Sequence, residues 1–145
     1  MEKLKPYLHK VKYYETDQMA VVHHSNYIRW FEDARCDLLE QIGFGYDKME
    51  EEGIMIPVLS VSCDYKKMTL YGETVTILTK IAKFTGVKLI VTYQVIDSNN
   101  GEIKATGETS HCFLDPDHNL ISIKNKNNEI YDLLKNLINV DISIK

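Results

Sequence analysis

The sequence has few of the residues that build disulfide frameworks or flexible linkers. Its 145 residues include three cysteines, three prolines and seven glycines. Cys36, Cys63 and Cys112 are odd in number, lie far apart and form no CxxC pair, which favours reduced thiols over disulfides or a zinc site. No stretch rich in glycine, proline or serine divides the chain, and no segment repeats. We therefore expect a single domain over residues 1–145.

The chain also lacks a long apolar run and an excess of positive charge. No apolar run approaches the roughly 18 residues that a membrane span needs. The first residues, MEKLKPYLHKVKYYE, contain no apolar core of a secretory signal. Lysine and arginine number 17 against 21 aspartates and glutamates, which gives a net charge of -4. We therefore expect a cytoplasmic protein that neither inserts into a membrane nor binds nucleic acid.

Hydrophobic spacing predicts one prominent amphipathic helix from about Ser25 to Ile42. Its apolar residues recur at spacings of three and four, which place them on one helical face. These residues are Tyr27, Trp30, Phe31, Ala34, Leu38 and Ile42. Ser25 or Asn26 is expected to cap the start of the helix, and Gly43 to end it.

Alternating apolar residues predict strands, with turn-forming residues between them. The predicted strands are Leu8–Tyr14, Val58–Lys67, Thr74–Phe84, Val87–Asp97 and Glu102–Leu114, and further helices are predicted at Tyr46–Glu52 and Asn125–Asn139. The run Ser98-Asn99-Asn100-Gly101 predicts a hairpin turn. One long helix with hairpin-linked strands indicates the α+β class, with the Trp30–Phe31 face of the helix buried on an antiparallel sheet. Strand order does not follow from the sequence.

The segment between the first strand and the long helix holds two carboxylates and two histidines: Glu15, Asp17, His23 and His24. A helix start offers unpaired N–H groups and a partial positive charge, which can stabilise a carbonyl oxygen that becomes an oxyanion. A nearby carboxylate could attack that carbonyl or activate water. Turn and capping roles fit the same residues, so the spacing alone leaves both interpretations open. Adjacent histidines without a third ligand nearby predict no metal site.

Two runs resemble a known family. YETDQMAVVHHSNY from Tyr14, followed by RWFEDAR from Arg29, closely resembles the opening motif of the 4-hydroxybenzoyl-CoA thioesterase-like hot-dog proteins. These are small acyl-CoA thioesterases, of the class that includes the one encoded with the Tol-Pal system. The downstream runs DYKK with YGE, and ATGET, are similar to later parts of that family. The resemblance covers about residues 8 to 123.

The resemblance implies a hot-dog fold, in which an antiparallel sheet wraps around the long central helix. It implies hydrolysis of an acyl-CoA without a cofactor, and homodimers or homotetramers with active sites at the dimer interface. Asp17 matches the catalytic carboxylate, acting as nucleophile or general base. His24 matches the residue at the helix start that contacts the thioester carbonyl, through its backbone N–H or its imidazole.

The same resemblance predicts substrate contacts at His23, Val22, Tyr65, Lys66 and Lys67. At three of these positions the residues themselves leave room for another role. His23 stands where many family members have tyrosine or tryptophan, which would reshape the acyl pocket. The two lysines could meet coenzyme A phosphates, although solvated strand faces are the more usual position for such lysines.

Other residues in the motif depart from the family or receive structural roles. Ala20 stands where the family usually has glycine, and Met68 where it usually has proline. Glu15 is expected to orient the loop without chemistry of its own. Arg29 and Arg35 are expected to pair locally with Glu32 on the helix.

Two alternative functions remain at this point. The same site could act on an acyl group attached to acyl carrier protein, which would need a basic docking surface. The chain could also be a non-hydrolytic acyl-CoA-binding module, although such a module would have no need of a carboxylate beside the thioester.

Overall fold

A computed structural model of the chain describes residues 3–142, which form a sheet layer packed against helices. The strands are β1 Tyr7–Lys10, β2 Val58–Tyr65, β3 Thr74–Phe84, β4 Lys88–Asp97 and β5 Ile103–Cys112. The helices are α1 Ser25–Gln41, α2 Tyr46–Glu51, α3 Ile123–Lys126 and α4 Asn128–Asn136. Within this part of the chain, no helix is long and apolar enough to cross a bilayer.

The sheet has five antiparallel strands in the order β1-β3-β4-β5-β2. Hairpins connect β3, β4 and β5, and both edge strands come from earlier in the chain. In the β4–β5 turn, the Asp97 carboxylate accepts the N–H groups of Asn99 and Asn100, and Gly101 has a φ of 76°. The predicted hairpin turn and the α+β class are therefore confirmed.

Helix α1 packs its aromatic face on the centre of the sheet, as the sequence predicts. Trp30 and Phe31 are fully buried, and the Phe31 ring stacks on the Tyr93 ring of β4 with 4.4 Å between centroids. On β5, Gly107 lies directly beneath the edge of the Phe31 ring. Because glycine has no side chain, the helix can approach the sheet closely at this point.

The C-terminal end of α1 agrees with the prediction, whereas its N-terminal end does not. Gly43, with a φ of 90°, follows the helix and donates its N–H to the carbonyl of Glu40, as expected for a C-terminal stop. At the other end, neither Ser25 nor Asn26 acts as the cap. Ser25 is already helical, and the Asn26 side chain donates backwards into the preceding loop.

The first strand and the tail helix differ most from the prediction. The first strand ends at Lys10, because the chain turns into a short 3-10 helix over Tyr13–Glu15, and the N–H of Lys12, the residue before this helix, donates to the Glu15 carboxylate. The tail helix is two helices, α3 and α4. Asn127 lies between them in an extended conformation, and its side chain caps α4 by accepting the N–H of Ile130.

Arg35 is buried rather than paired on the helix surface, so its expected pairing with Glu32 is wrong. Its Nε donates to the Tyr46 hydroxyl and its Nη1 to the Tyr93 hydroxyl, both at 2.9 Å. These two hydroxyls raise the pKa of Arg35 and offset the cost of burying the guanidinium. The bonds connect α1 with α2 and with the centre of the sheet.

The hydrogen-bond chain from Arg35 continues to a buried histidine. The Tyr93 hydroxyl is hydrogen-bonded to Thr109 Oγ1, which lies 2.8 Å from His111 Nε2. His111 Nδ1 lies 3.2 Å from the carbonyl oxygen of Pro57, which can only accept. Nδ1 therefore carries a proton, and in the neutral ring Nε2 accepts the Thr109 hydroxyl proton. Burial and the Arg35 charge lower the pKa of His111 to about 4.

We expect His111 to make the protein less stable in acid. Its folded pKa of about 4 lies below its usual value of 6.5, so the unfolded chain binds a proton first as the pH falls. The contribution of neutral His111 to the free energy of unfolding is therefore fully present above about pH 6.5. It is lost as the pH falls from about 6.5 to about 4, and the loss amounts to roughly 3 kcal/mol. Urea unfolding of wild type and His111→Gln at about pH 7 and about pH 4.5 measures it. The same pH dependence in both proteins would contradict the assignment.

Candidate active site

Asp17 begins a tight turn between the 3-10 helix and α1. Its N–H donates to the carbonyl of Val21, and its own carbonyl accepts the N–H of Ala20, both at 2.9 Å. Its side chain is exposed, and Oδ1 accepts the N–H of Met19 at 2.8 Å. Within residues 3–142, Oδ2 has no hydrogen-bond partner. Asp17 therefore stabilises its own turn with one oxygen and leaves the other available.

The loop that carries Asp17 is fixed on its far side by the segment before β3. Val21 forms a bridge with Leu70, and the N–H of Val22 donates to the carbonyl of Thr69 at 2.8 Å. Thr69 is itself held to α1, because its hydroxyl accepts the Tyr27 hydroxyl proton. Val22 is only 7% exposed and belongs to the core. Its evident role is to hold the loop, and a substrate contact for its side chain stays a prediction.

Ala20 has a φ of 63°, a left-handed conformation that favours glycine. This is the position at which the sequence departs from the family's usual glycine. The structure therefore shows that the loop keeps the glycine-type conformation despite the added side chain.

Replacing Ala20 with glycine is expected to stabilise the protein by about 1 kcal/mol, because it removes the steric cost of the left-handed conformation. Urea unfolding measures the change. Ala82→Gly is the matched control: Ala82 lies within β3, where glycine is expected to destabilise by about 0.5–1 kcal/mol. A loss of stability in both variants would contradict the expectation for Ala20.

The start of α1 is capped by a histidine that the sequence analysis assigned to substrate. Nδ1 of His23 accepts the N–H of Ser25 at 3.2 Å and the Ser25 hydroxyl at 2.9 Å. Because both groups donate, Nδ1 carries no proton and the ring proton is on Nε2. The His23 ring also packs on the His24 ring, with centroids 4.2 Å apart. His23 lies two residues before Ser25, the first residue of the helix, and a histidine at this position is not part of the usual capping pattern. The sequence therefore did not predict this cap.

His24 stands directly before the first helical residue and keeps its backbone donor free. Within residues 3–142, its N–H has no hydrogen-bond partner. Its carbonyl accepts the hydroxyl of Tyr65, at 3.1 Å, from β2. The helix start therefore presents one unpaired N–H group at the positive end of α1.

Asp17 and the start of α1 line the same open cleft, of about 1240 Å³. Its walls include Asp17, Gln18, His23, Ser25 and Arg29. The cleft thus brings together the carboxylate that the sequence predicts and the N-terminal turn of the helix, including the imidazole of His23.

Glu15, the other acidic residue of the motif, has no free oxygen. It is 5% exposed. Its Oε1 accepts the N–H of Lys12 at 2.7 Å and Nε2 of His9 at 2.8 Å, and its Oε2 accepts Nε1 of Trp30 at 2.7 Å. Burial alone would raise its pKa, but these bonds outweigh that effect and lower it. Asp17 is therefore the better candidate for attack on a substrate.

The residues predicted on the β2 side are only partly brought to this site. Tyr65 reaches it through its bond to His24, and its ring packs edge-on against Tyr27 at 5.2 Å. Burial and neighbouring Cys63 raise its pKa to about 12. Lys66 and Lys67 do not line this cleft. The Lys67 ammonium pairs instead with Glu102 at 3.0 Å.

A family model described as the thioesterase-like superfamily matches residues 11–130. The chain belongs to this superfamily. Its five-stranded antiparallel sheet around a central helix is the hot-dog fold of these proteins, so the fold predicted from the resemblance is confirmed. The narrower 4-hydroxybenzoyl-CoA or Tol-Pal subtype stays a prediction.

Several relatives of this thioesterase-like chain have names that describe thioester hydrolysis. YneP of Bacillus subtilis (strain 168), named as a candidate acyl-CoA thioesterase, is 38% identical over 106 residues, covering 73% of this chain and 76% of that protein. The acyl-CoA thioester hydrolase YbgC of Escherichia coli O157:H7 is 25% identical over 91 residues, covering 63% and 68%. A solved DHNA-CoA thioesterase from Staphylococcus aureus is 30% identical with a TM-score of 0.86, covering 91% and 89%.

Metal ligands are not clustered in the part of this thioesterase-like chain that the structure describes. There, no group of three or more histidine, cysteine, aspartate or glutamate side chains is arranged to hold an ion. The carboxylates that line the cleft are those of Glu15, Asp17, Glu32 and Asp33, its imidazoles are those of His9 and His23, and its guanidinium is that of Arg29. His24 adjoins the cleft through its neighbours His23 and Ser25 and is not itself among the lining residues. The absence of a cofactor stays a prediction.

Proposed function

We propose that this protein hydrolyses acyl-CoA thioesters to a carboxylic acid and free coenzyme A. The observation that carries the proposal is the cleft that Asp17 shares with the start of α1. Asp17 serves as nucleophile or general base, using the carboxylate oxygen that its own turn leaves unpaired. The unpaired N–H of His24 donates to the thioester oxygen as negative charge develops on it.

The physical demands of the reaction match these groups. A thioester carbonyl is already reactive because sulfur donates poorly into it, so the enzyme needs a base or nucleophile on one side and donors on the other. The partial positive charge at the start of α1 adds to the His24 donor. Capping of Ser25 by His23 removes the next N–H from competition, which leaves His24 as the donor in this proposal.

The substrate class follows from the relatives' names together with the charge of this chain. The relatives named above have names that specify coenzyme A thioesters, acyl-CoA for two of them and DHNA-CoA for the third. An acyl carrier protein is acidic and needs a basic partner surface, whereas this chain has a net charge of -4. Coenzyme A is therefore the proposed carrier. The His23 ring is the proposed contact that shapes the acyl end of the cleft.

We propose that the active form is a homodimer joined through β2. Among residues 3–142 this edge strand pairs only with β5, and three of its apolar side chains, Val58, Leu59 and Val61, are 49%, 59% and 41% exposed. A long apolar edge is a template for pairing with another chain. Lys66 and Lys67 follow β2 directly, so such a dimer would put them at the interface, where coenzyme A phosphates are the proposed ligands. Analytical ultracentrifugation of wild type and Val61→Lys tests the dimer.

The test of the function is thiol release from a panel of short-chain, long-chain and aromatic acyl-CoAs. Detection of free coenzyme A with a thiol reagent is expected for at least one class. Release from acylated carrier protein but from no acyl-CoA would favour the carrier-protein alternative. Tight binding without release would favour the non-hydrolytic module and would refute hydrolysis.

A further inference from the structure

Hydrolysis at this site requires a fixed distance between Asp17 and the N–H of His24. The two residues lie on separate elements, one in an exposed turn and the other at the start of α1. Asp17 itself bonds only within its own turn. Thr69 holds the far side of the loop to α1 through Val22 and Tyr27, and a second connection lies on the side of Asp17.

The backbone of Glu15 supplies one half of that connection. Its carbonyl oxygen accepts the N–H of His23 at 2.8 Å and Nδ2 of Asn26 at 2.9 Å. Glu15 is two residues before Asp17, and His23 is one residue before His24. A single carbonyl group therefore ties the carboxylate's turn to both sides of the helix start.

The side chain of Glu15 supplies the other half, because it holds that carbonyl in place. Its carboxylate takes donors from three places: His9 on β1, Lys12 in the chain before the turn, and Trp30 in the second turn of α1. The bonds are 2.7–2.8 Å long and lie in a buried environment, where charge-assisted bonds are strong. The Trp30 ring itself is fixed in the core, 1% exposed.

We propose that Glu15 is the positioning residue that sets Asp17 against the His24 N–H. This proposal rests on the proposed function, because the positions of Asp17 and His24 affect turnover only if the two residues act on a thioester. Glu15 is not itself catalytic, since its oxygens are already occupied by three donors. Its charge is needed because every neighbouring polar group donates to it.

An isosteric amide cannot replace this carboxylate. In Glu15→Gln, one orientation of the amide turns its NH₂ towards the Nε1–H of Trp30, and the other turns it towards the N–H of Lys12. Neither of these groups can become an acceptor. One donor therefore stays unpaired in either orientation, and the turn shifts to relieve it.

The test combines kinetics with hydrogen exchange on the whole protein. For Glu15→Gln we expect kcat to fall about 10- to 100-fold, as for a small misplacement of reacting groups, with KM changed by less than about threefold. We also expect faster exchange of the Asp17 and His23 amides, with the amides of β3 to β5 still protected. Glu50→Gln, the same substitution at an exposed position of α2, is the matched control and should behave as wild type.

Two other outcomes would overturn the positioning role of Glu15, and a third would overturn the proposed hydrolysis. An unchanged kcat in Glu15→Gln would overturn the positioning role. Faster exchange throughout β3, β4 and β5 would also overturn it, because the loss would then be one of general stability. If wild type releases no thiol but Glu15→Gln still loosens only the Asp17 turn, the proposed hydrolysis fails and the hold of Glu15 on the loop is supported.

Discussion

Replacing Asp17 with asparagine is expected to slow thiol release by about 10²–10⁴-fold if Asp17 acts as general base, and by more if it is the nucleophile. Asparagine keeps the Oδ1 that accepts the N–H of Met19, so the turn survives and only the charge and basicity are lost. The measurement is kcat with the best acyl-CoA of the panel. Wild-type turnover in this variant would rule out Asp17 as the catalytic group.

Two additions make the Asp17 experiment more specific. Asp132→Asn, at an exposed position of α4, controls for the loss of one negative charge and should leave kcat unchanged. Repeated turnover in ¹⁸O water distinguishes the two roles of Asp17. Label in the peptide that contains Asp17 would identify an acyl-enzyme anhydride that water opens at the aspartyl carbon.

The largest loss of stability from a single added methyl group is expected at Gly107. A Cβ there would lie 2.3 Å from Cε2 of Phe31 and 2.9 Å from the carbonyl oxygen of Ser62. The ring cannot move away freely, because it stacks on Tyr93. We expect Gly107→Ala to lower the free energy of unfolding by about 3 kcal/mol, the upper part of the range for overpacked cores. Urea unfolding measures it.

A second substitution tests whether the ring is the cause. In Phe31→Leu the side chain is smaller, so combining it with Gly107→Ala should remove part of the clash with the added methyl group, and the two losses should not add. Strict additivity would show that Gly107→Ala acts through the backbone alone. A change within about 0.5 kcal/mol of wild type for Gly107→Ala would contradict the close packing itself.

Local patterns in the sequence predicted most of the secondary structure. Helix α1 and strand β3 begin where the periodicity changes, and Gly43 ends α1 as expected. Such features depend on neighbouring residues, which the sequence displays directly. The first strand and the tail helix were predicted too long because hydrogen bonds from backbone N–H groups to the side chains of Glu15 and Asn127 interrupt them, and the apolar spacing does not show such bonds.

The candidate site was only partly visible in the sequence. Asp17 and His24 were found through a motif, whereas the contacts of Glu15 with His9 and Trp30 join residues that no local spacing relates. The capping role of His23 was missed because histidine is not among the usual capping residues. Arg35 was assigned to the surface, since its tyrosine partners lie on another helix and in the sheet.

The strand order also determines how the protein must fold. The β3–β4–β5 hairpins join strands that are close in the sequence. The edge strands instead pair with strands far along the chain, Tyr7 of β1 with Ile77 and Val58 of β2 with His111. Closing such long loops costs entropy before contacts repay it, so the edge strands are expected to dock late and to limit the folding rate. Asp17 follows β1, and Tyr65 ends β2. On a ribosome, the residues that line the cleft are thus synthesised early, but the sheet that supports them is complete only after β5 has emerged and β2 can pair with it.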